Sequence, residues 1–251
     1  MSEKIPSESI MLLNKIVETC LLAGIGNAVV ESGKYVRGIN DDHTCLIVSE
    51  DSIPFFGKNI QLGLSRLPSL KSHLGLLAGN EFGISFDMSS KNENEISVLH
   101  LNNKKTKTQF RCASPSIIKA PKGVGDKEFA VVELDKDDVQ AISVGSKAIG
   151  SKDFTLLCKK EGDKYPVYVE VNNPQDNFSI KISDNIQFVD EPETFVHYYA
   201  IDNFISLAKY ISNSLPENER TFSLIVGSVG TLRLIINNHV IILIPKKDNQ
   251  E

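Results

Sequence analysis

Residues 112–129, CASPSIIKAPKGVGDKEF, lie near the middle of the chain and decide how the fold is divided. Pro115 and Pro121 each lack a backbone donor and favour an extended residue before them, so neither a helix nor a strand is expected to run through the stretch. The glycines near its end form a turn-prone run with an aspartate. Ile117 and Ile118 are adjacent, and we expect both to pack on a neighbouring surface, which a free linker would not need. The stretch therefore predicts an ordered connector between two half-chains.

The composition is that of a soluble globular protein, because 41% of the 251 residues are hydrophobic and 24% are charged. The net charge of −5 argues against a protein that binds nucleic acid over its whole surface, although a local basic stripe is compatible with it. The four cysteines are scattered, which argues against a zinc site and a disulfide framework. No apolar run approaches the ~18 residues of a membrane helix, and the N-terminus lacks signal-peptide features. We therefore expect an intracellular protein with no membrane partner.

Hydrophobic periodicity predicts two helices and a run of short strands in the first half. Ser7–Ala23 repeats apolar residues at helical spacing, with Ser7 as its predicted N-cap, and Pro68–Gly79 does so with a proline at its start. The predicted strands are Ala28–Glu31, Tyr35–Ile39, Thr44–Ser49, Ile60–Leu64, Gly83–Met88, Glu95–Leu101 and Thr106–Ala113. The first two of them flank a Ser-Gly-Lys turn, which predicts a hairpin.

The second half shows the same order of elements. Asp135–Ile149 is a predicted helix that opens with acidic residues, as the helix dipole favours, and Asp202–Ser212 is the other. The predicted strands are Phe129–Leu134, Phe154–Lys159, Val167–Val171, Phe178–Ile182, Phe195–Ala200, Phe222–Val226, Thr231–Ile236 and Val240–Ile244.

The two halves are spaced as an internal duplication would be. Their first helices start about 128 residues apart and their second helices about 134 apart, and a near-constant offset is what duplication predicts. The alternative is two unrelated α+β domains that happen to agree. We predict an α+β protein with one domain over 1–113, a connector over 114–128 and a second domain over 129–251.

Chemistry-bearing motifs are few. Asp41, Asp42 and His43 could hold a metal, but no matching ligands occur elsewhere, so a polar turn between strands is the favoured interpretation. Residues 24–27 and 145–147 lack the spacing of phosphate-binding loops, and no serine lies in a nucleophile elbow. We therefore predict no catalytic residues, no metal, no cofactor and no enzyme activity.

Four segments together resemble one family. They are Val36–His43, Leu76–Glu81, Val139–Asn173 and Val240–Lys247, which are similar to the segment after the first hairpin, the end of the second helix, the start of the second domain and the closing strand of that family. In this order, they resemble the two-domain, homotrimeric DNA sliding clamps, the group of proliferating cell nuclear antigen and the clamps of large tailed bacteriophages. The short segment before the first helix, without a clear opening strand, favours the phage type.

The resemblance implies a ring-shaped trimer, or toroid, with helices inside and antiparallel sheets outside. Thr106–Ala113 of one subunit would pair with Phe178–Ser183 of the next, which removes exposed strand edges. Such a ring would encircle double-stranded DNA without reading its sequence and tether a DNA polymerase, conferring processivity in DNA replication. It would need a clamp loader and would act inside a cell, in the cytoplasm of an infected host if the protein is phage-encoded.

The resemblance also implies two sets of site residues. The DNA-facing lysines would be Lys15, Lys71, Lys147, Lys152 and Lys209. The pocket for a partner peptide, beneath the connector, would be formed by Ile39, His43, Thr44, Ile117, Ile118, Ile242, Ile244 and Pro245. The sequence departs from a simple clamp because its predicted helices are not strongly basic. Two alternatives remain: a two-domain protein-interaction module without a DNA role, and a metal-dependent enzyme that uses the 41–43 cluster.

Overall fold

The computed structural model describes residues 7–49, 59–77, 82–121, 124–216 and 221–246. They form two compact units. The first is drawn from Met1–Gly123 and Ile235–Val240, and the second from Val124–Leu234 and Ile241–Glu251. The first break, between Gly123 and Val124, falls inside the predicted connector. The division into 1–113, 114–128 and 129–251 stays a prediction about domain boundaries.

Two helices of the first unit, α1 (Ser7–Leu22) and α2 (Leu67–Gly75), pack against each other. Their buried residues recur every three or four positions, so each helix turns one apolar stripe inward. In α1 this stripe includes Leu13, Ile16 and Cys20, all essentially inaccessible to solvent. Burial of each such aliphatic side chain contributes about 1.5–3 kcal/mol relative to exposure.

A mixed sheet forms the rest of the first unit. Its strands are β1 (Ala28–Glu31), β2 (Tyr35–Ile39), β3 (Cys45–Ser49), β4 (Gln61–Leu64), β5 (Phe82–Met88), β6 (Glu95–Asn103) and β7 (Lys107–Arg111). The order is β3-β2-β1-β4-β6-β5, with only β4 and β6 parallel. The strand β7 pairs with the part of β6 beyond the end of β4. Because β4 and β7 lie along the same edge of β6, the chain that follows β7 runs beside β4.

The second unit contains α3 (Lys136–Ile149) and α4 (Ile201–Ser214), which also pack against each other. Asp135 caps α3: its carboxylate accepts a hydrogen bond from the Asp138 amide, and the Asp138 carboxylate accepts one from the Asp135 amide. This reciprocal capping box explains the acidic start of the helix. At its other end, Gly150 adopts a φ of 70° and closes the helix.

Two sheets complete the second unit. The strands are β8 (Glu128–Asp135), β9 (Asp153–Cys158), β10 (Val167–Asn172), β11 (Asn177–Ser183), β12 (Gln187–Phe188), β13 (Phe195–Ala200), β14 (Thr221–Gly227), β15 (Leu232–Ile236) and β16 (His239–Leu243). One sheet has the antiparallel order β12-β8-β14-β15, and the other the antiparallel order β11-β10-β9-β13. A turn at Asn237 and Asn238, both with positive φ, leads from β15 to β16, and the tip Ile235–Val240 is grouped with the first unit.

Every helix and strand predicted from the sequence is present, with ends that differ by a few residues. Ser7 is the first helical residue rather than a cap outside the helix. The second helix ends at Gly75, earlier than predicted, and positions 78 and 79 of that prediction lie outside the described residues. The short strand β12 was missed because two residues carry no periodicity.

The connector contains a 3-10 turn at Pro115–Ile117 that the sequence did not predict. Proline favours the first position of such a turn, since its φ is already fixed. The expectation that both isoleucines pack is wrong for Ile117, which is 76% exposed, whereas Ile118 is half-buried. The turn leaves Ile117 on its outer side, so the two side chains differ in exposure. Residues 122 and 123 of the connector lie outside the described residues.

Candidate functional site

A cavity of about 300 Å³ opens on the first unit between the β2–β3 turn and the start of the connector. The lining residues are Asn27, Ile39, Asn40, Asp41, His43, Ser65, Ala113, Ile117, Ile118 and Lys119. All of them belong to the first unit. The cavity therefore combines isoleucine side chains with a polar margin, a combination typical of sites that bind short peptides or small molecules.

One wall is the β2–β3 turn, which the Asn40 side chain holds in shape. Its Oδ1 accepts hydrogen bonds from the backbone amides of Thr44 and Cys45, both at 2.9 Å, and its Nδ2 donates to the Thr44 hydroxyl. The buried amide thus satisfies donors inside the turn itself. His43 has a φ of 56°, in the left-handed region, because the chain must reverse there. The wall is consequently preformed.

The other wall is the start of the connector, which lies against β4. The Ala113 amide donates to the Gly63 carbonyl at 3.0 Å, and the buried Pro115 follows. A Cβ at Gly63 would lie 2.9 Å from the Ala113 carbonyl carbon and 3.1 Å from the Pro115 nitrogen, so only glycine lets the two backbones come this close. Ser114 adds a hydrogen bond from its hydroxyl to the Glu95 carboxylate at 3.1 Å.

Four of the eight residues predicted for the peptide pocket line this cavity: Ile39, His43, Ile117 and Ile118. Thr44 is bound to Asn40 in the adjoining turn and is not among the lining residues. The remaining three, Ile242, Ile244 and Pro245, belong to the second unit and do not line the cavity. Their role in a peptide site stays a prediction.

The cavity has lining residues that the sequence reasoning did not assign to it. They are Asn27, Asn40, Asp41, Ser65, Ala113 and Lys119. Asn40 and Asp41 lie next to predicted members and could have been found from that proximity. Asn27 and Ser65 lie in separate loops before β1 and after β4, and only the pairing of those strands brings the two loops together.

The predicted DNA-facing lysines of the first unit differ in their surroundings. Lys15 is exposed on α1, and burial together with the nearby Lys15 charge lowers the pKa of His239. Lys71 on α2 forms an ion pair with Glu18 of α1, with 3.6 Å between the Nζ and the carboxylate oxygen. The charge of Lys71 is thus partly neutralised across the helix pair.

In the second unit, Lys147 is exposed in the last turn of α3, and Lys152 is exposed just after that helix. Lys209 is half-buried on α4. Acidic residues on these helices, Asp137 and Asp202 among them, lie in first turns, where the helix dipole favours them. Of the three predicted lysines in this unit, Lys147 and Lys152 are therefore the more exposed to solvent.

The two strands predicted to pair between subunits are both edge strands. Among the described strands, β7 pairs only with β6, and β11 pairs only with β10. Behind β11, the α3 helix approaches so closely that a Cβ at Gly145 would lie 2.5 Å from the Phe178 ring. As edge strands, both can pair with a further strand. At the end of β7, the Arg111 carbonyl already accepts a hydrogen bond from the Arg66 guanidinium at 3.1 Å.

The end of the connector is held in the second unit by the Asp126 carboxylate. It accepts hydrogen bonds from the Val229 amide at 3.0 Å, the Ser228 hydroxyl at 2.9 Å and the Thr231 hydroxyl at 2.5 Å. The Arg233 guanidinium donates to the Asp126 carbonyl oxygen. Burial alone would raise the pKa of Asp126, but these hydrogen bonds from the turn outweigh it and hold that pKa below its usual range.

Reactive or metal-binding chemistry has little support in the described residues. Burial raises the pKa of both Cys20 and Cys112 to about 12, so these thiols stay protonated at neutral pH. Within the described ranges, no three side chains from histidine, cysteine, aspartate and glutamate lie close enough to hold a metal ion. None of the described helices is long and apolar enough to span a membrane.

Comparison with known proteins identifies the fold. No protein-family model and no curated protein matches the sequence. The chain is similar to the crystal structure of proliferating cellular nuclear antigen (PCNA) from Entamoeba histolytica, with a TM-score of 0.66 and 15% identity over 98% of each chain. It is also similar to the PCNA of A. fulgidus, solved with the C-terminal region of FEN-1 bound, with a TM-score of 0.66 and 13% identity over 100% of each chain. The chain therefore has the fold of the DNA sliding clamps, and the predicted α+β clamp fold is confirmed.

Proposed function

We propose that the protein is a sliding clamp, a homotrimeric ring that encircles double-stranded DNA and tethers a DNA polymerase. The observation that carries this proposal is the match of fold over the whole chain to two PCNA structures. A clamp has no catalytic task, and its work is to bind and to slide. In this proposal a clamp loader opens the ring, and the protein acts inside the cell, in the host cytoplasm if it is phage-encoded.

The two edge strands support the ring. One edge, β7, lies in the first unit, and the other, β11, lies in the second. Pairing β7 of one chain with β11 of the next is a head-to-tail contact, and such contacts generate closed rings when the rotation closes. The pairing would also satisfy backbone groups that are otherwise left at sheet edges.

The weakly basic helices suit a ring that slides. Each phosphate contact adds affinity and must be broken at every step along the DNA. A clamp is retained by topology, so few lysines suffice to centre the duplex. Lys15, Lys147, Lys152 and Lys209, with Lys71 partly neutralised, form such a sparse set.

The cavity beneath the connector supports the tethering role. Ile117 is exposed beside the half-buried Ile39 and Ile118, so an apolar side chain of a partner could be buried among all three. A PCNA of the same fold has been solved with the C-terminal region of FEN-1 bound, which makes a peptide a natural occupant. We assign the cavity to a short peptide with an apolar and aromatic plug, carried by the polymerase and other clients.

Topological retention on DNA tests the ring directly. Light scattering at micromolar concentration should give a trimer. Chains incubated with the cognate clamp loader and a nicked circular plasmid should co-elute with the plasmid and be released when a restriction enzyme linearises it. The change of Lys147→Glu with Lys209→Glu should reduce this retention, whereas an interaction module without a DNA role would be unaffected. A monomer that never co-elutes with circular DNA would refute the clamp.

Changing Ile117→Asp with Ile118→Asp tests the tether. Two carboxylates would replace the apolar wall, and a partner's plug cannot be buried against unpaired charges. We expect plasmid retention to persist while primer extension by the cognate polymerase loses its processivity. Full processivity in this variant would refute the assignment of the cavity.

A further inference from the structure

The cavity carries one acidic and one basic side chain among its lining residues, Asp41 and Lys119. Asp41 is exposed in the β2–β3 turn, and Lys119 is exposed in the connector directly after Ile118. Neither forms an ion pair with any other described residue. Both charges are therefore available to a bound molecule.

The two charges come from different walls of the cavity. Asp41, with Asp42 beside it, belongs to the turn that Asn40 holds in shape. Lys119 belongs to the connector, whose start is fixed against β4. The isoleucines come from both sides, Ile39 from the end of β2 and Ile117 and Ile118 from the connector, and the other lining residues are neutral amides, a hydroxyl, an alanine and His43. The cavity thus combines apolar and neutral polar side chains with a negative charge on one wall and a positive charge on the other.

We propose that this polarity selects and orients the partner peptide. The peptide would carry a basic side chain that faces the Asp41 wall and a carboxylate that faces Lys119, on either side of an apolar plug. The carboxylate can be an acidic side chain or the free C-terminus of the partner. This inference rests on the proposed peptide-binding function and adds the charge pattern of the occupant.

We expect these two charges to discriminate between peptide orientations more than to increase the affinity for the peptide. Exposed ion pairs contribute little, because water and salt screen them. A peptide in the reversed orientation, however, would place like charges together at both walls, and complementary charge mainly fixes register and suppresses wrong partners. We expect a preference of about threefold to tenfold at low salt for the matched peptide, since two such contacts act together. The preference should shrink near 1 M salt, where the screening length falls to about 3 Å.

Fluorescence anisotropy with three labelled peptides tests the proposal on the full chain. All share a Leu-Phe-Phe plug. One has lysine before the plug and glutamate after it, one has these two exchanged, and one has glutamine at both places. Amidated and free C-termini of the glutamine peptide distinguish a terminal carboxylate from a side-chain carboxylate. The two charged peptides should bind unequally, and the glutamine peptide with an amidated end should bind with intermediate affinity.

A double charge reversal decides the outcome. Asp41→Lys with Lys119→Glu keeps the net charge and should exchange the order of the two charged peptides. The matched control is Glu93→Lys with Lys91→Glu, the same exchange in the exposed β5–β6 turn of the same unit, which should leave the order unchanged.

The results separate the inference from the function beneath it. The proposed charge preference is refuted if the two charged peptides bind equally, or if the double reversal does not change which of them binds more tightly. In either case the assignment of the cavity to a peptide is unaffected. Failure of all peptides to bind, the amidated glutamine peptide included, overturns the peptide site and the polarity together.

Discussion

The two ends of the connector are held by different kinds of interaction. At its start, Ala113 and Pro115 lie against Gly63 through close contact of one backbone with another. At its end, the carboxylate of Asp126 gathers donors from the turn that contains Thr231. The backbone contact at the start is possible only with glycine at position 63, whereas the ionised carboxylate at the end is stabilised by hydrogen bonds from a turn. The two ends should therefore fail under different substitutions and different conditions.

This difference bears on the candidate site, because the cavity adjoins the start of the connector and not its end. Ile117 and Ile118 follow Pro115 after a single residue, Ser116, so their position depends on the backbone contact at Gly63. Changes at the start should alter stability and peptide binding together. Changes at the end should act on the stability of the second unit first.

The largest effect is expected from Gly63→Ala. The new Cβ would be forced into the Ala113 carbonyl group, and the two backbones would have to separate. We expect the free energy of unfolding to fall by about 3 kcal/mol, as in other overpacked sites, with loss of peptide binding in the same variant. Urea denaturation and anisotropy measure the two effects.

Gly75→Ala is the matched control for this change. A Cβ at Gly75, in the last turn of α2, meets nothing within 4 Å, and removing a glycine from a helix favours folding by about 0.5–1 kcal/mol. Wild-type stability in Gly63→Ala would mean that close backbone contact does not fix the start of the connector.

A smaller effect is expected from Asp126→Ala. This change leaves the Val229 and Thr231 amides and two hydroxyls without their acceptor, and we expect a loss of about 2 kcal/mol in the free energy of unfolding. Hydrogen exchange should accelerate at the Val229 amide, while the Ala113 amide keeps its protection. Equal acceleration at both amides would contradict the separation of the two ends.

The smallest effect is a difference in pH dependence. Since the folded-state pKa of Asp126 lies below its unfolded value, the stabilisation from its ionised carboxylate is complete above the unfolded pKa, near 3.9, and is lost as the pH falls through the lower folded pKa. Asp126→Asn should be less stable than wild type at pH 6, and the gap should narrow toward pH 3.

His197 must be considered when these curves are compared. Burial lowers its pKa in the folded protein, so its protonation removes stability as the pH falls below about 6.5. The nearby Asp126 charge partly opposes this lowering of the His197 pKa, so the loss differs between wild type and Asp126→Asn. The difference between the two curves reports Asp126 alone when both proteins also carry His197→Gln. A constant gap from pH 6 to pH 3 would contradict the role assigned to its charge.

The sequence predicted the elements because local rules agree with tertiary packing over most of this chain. Helices α1 and α3 combine apolar periodicity with clear ends, and the acidic start of α3 is a capping box. Strand β9, for example, alternates between buried and half-buried positions and turns Phe154, Leu156 and Cys158 inward. Elements of only two or three residues, such as β12 and the 3-10 turn, are too short to show a hydrophobic periodicity.

The candidate site was predictable only in part. Ile39, His43, Ile117 and Ile118 were named from a resemblance and line one cavity. Asn27 and Ser65 were not named, because they come near the others only through the pairing of β1 with β4. The need for glycine at position 63 was equally invisible, since it arises from a residue fifty positions away.

By itself, the sequence determined the class of the fold and the order of its elements, because these follow from periodicity, capping and proline chemistry along the chain. The tertiary structure decided which of two adjacent isoleucines is exposed and which residue holds each end of the connector. It also decided which charged side chains line the cavity. Those properties depend on distances between segments remote in sequence, and the pairing of strands fixes those distances only when the chain is folded.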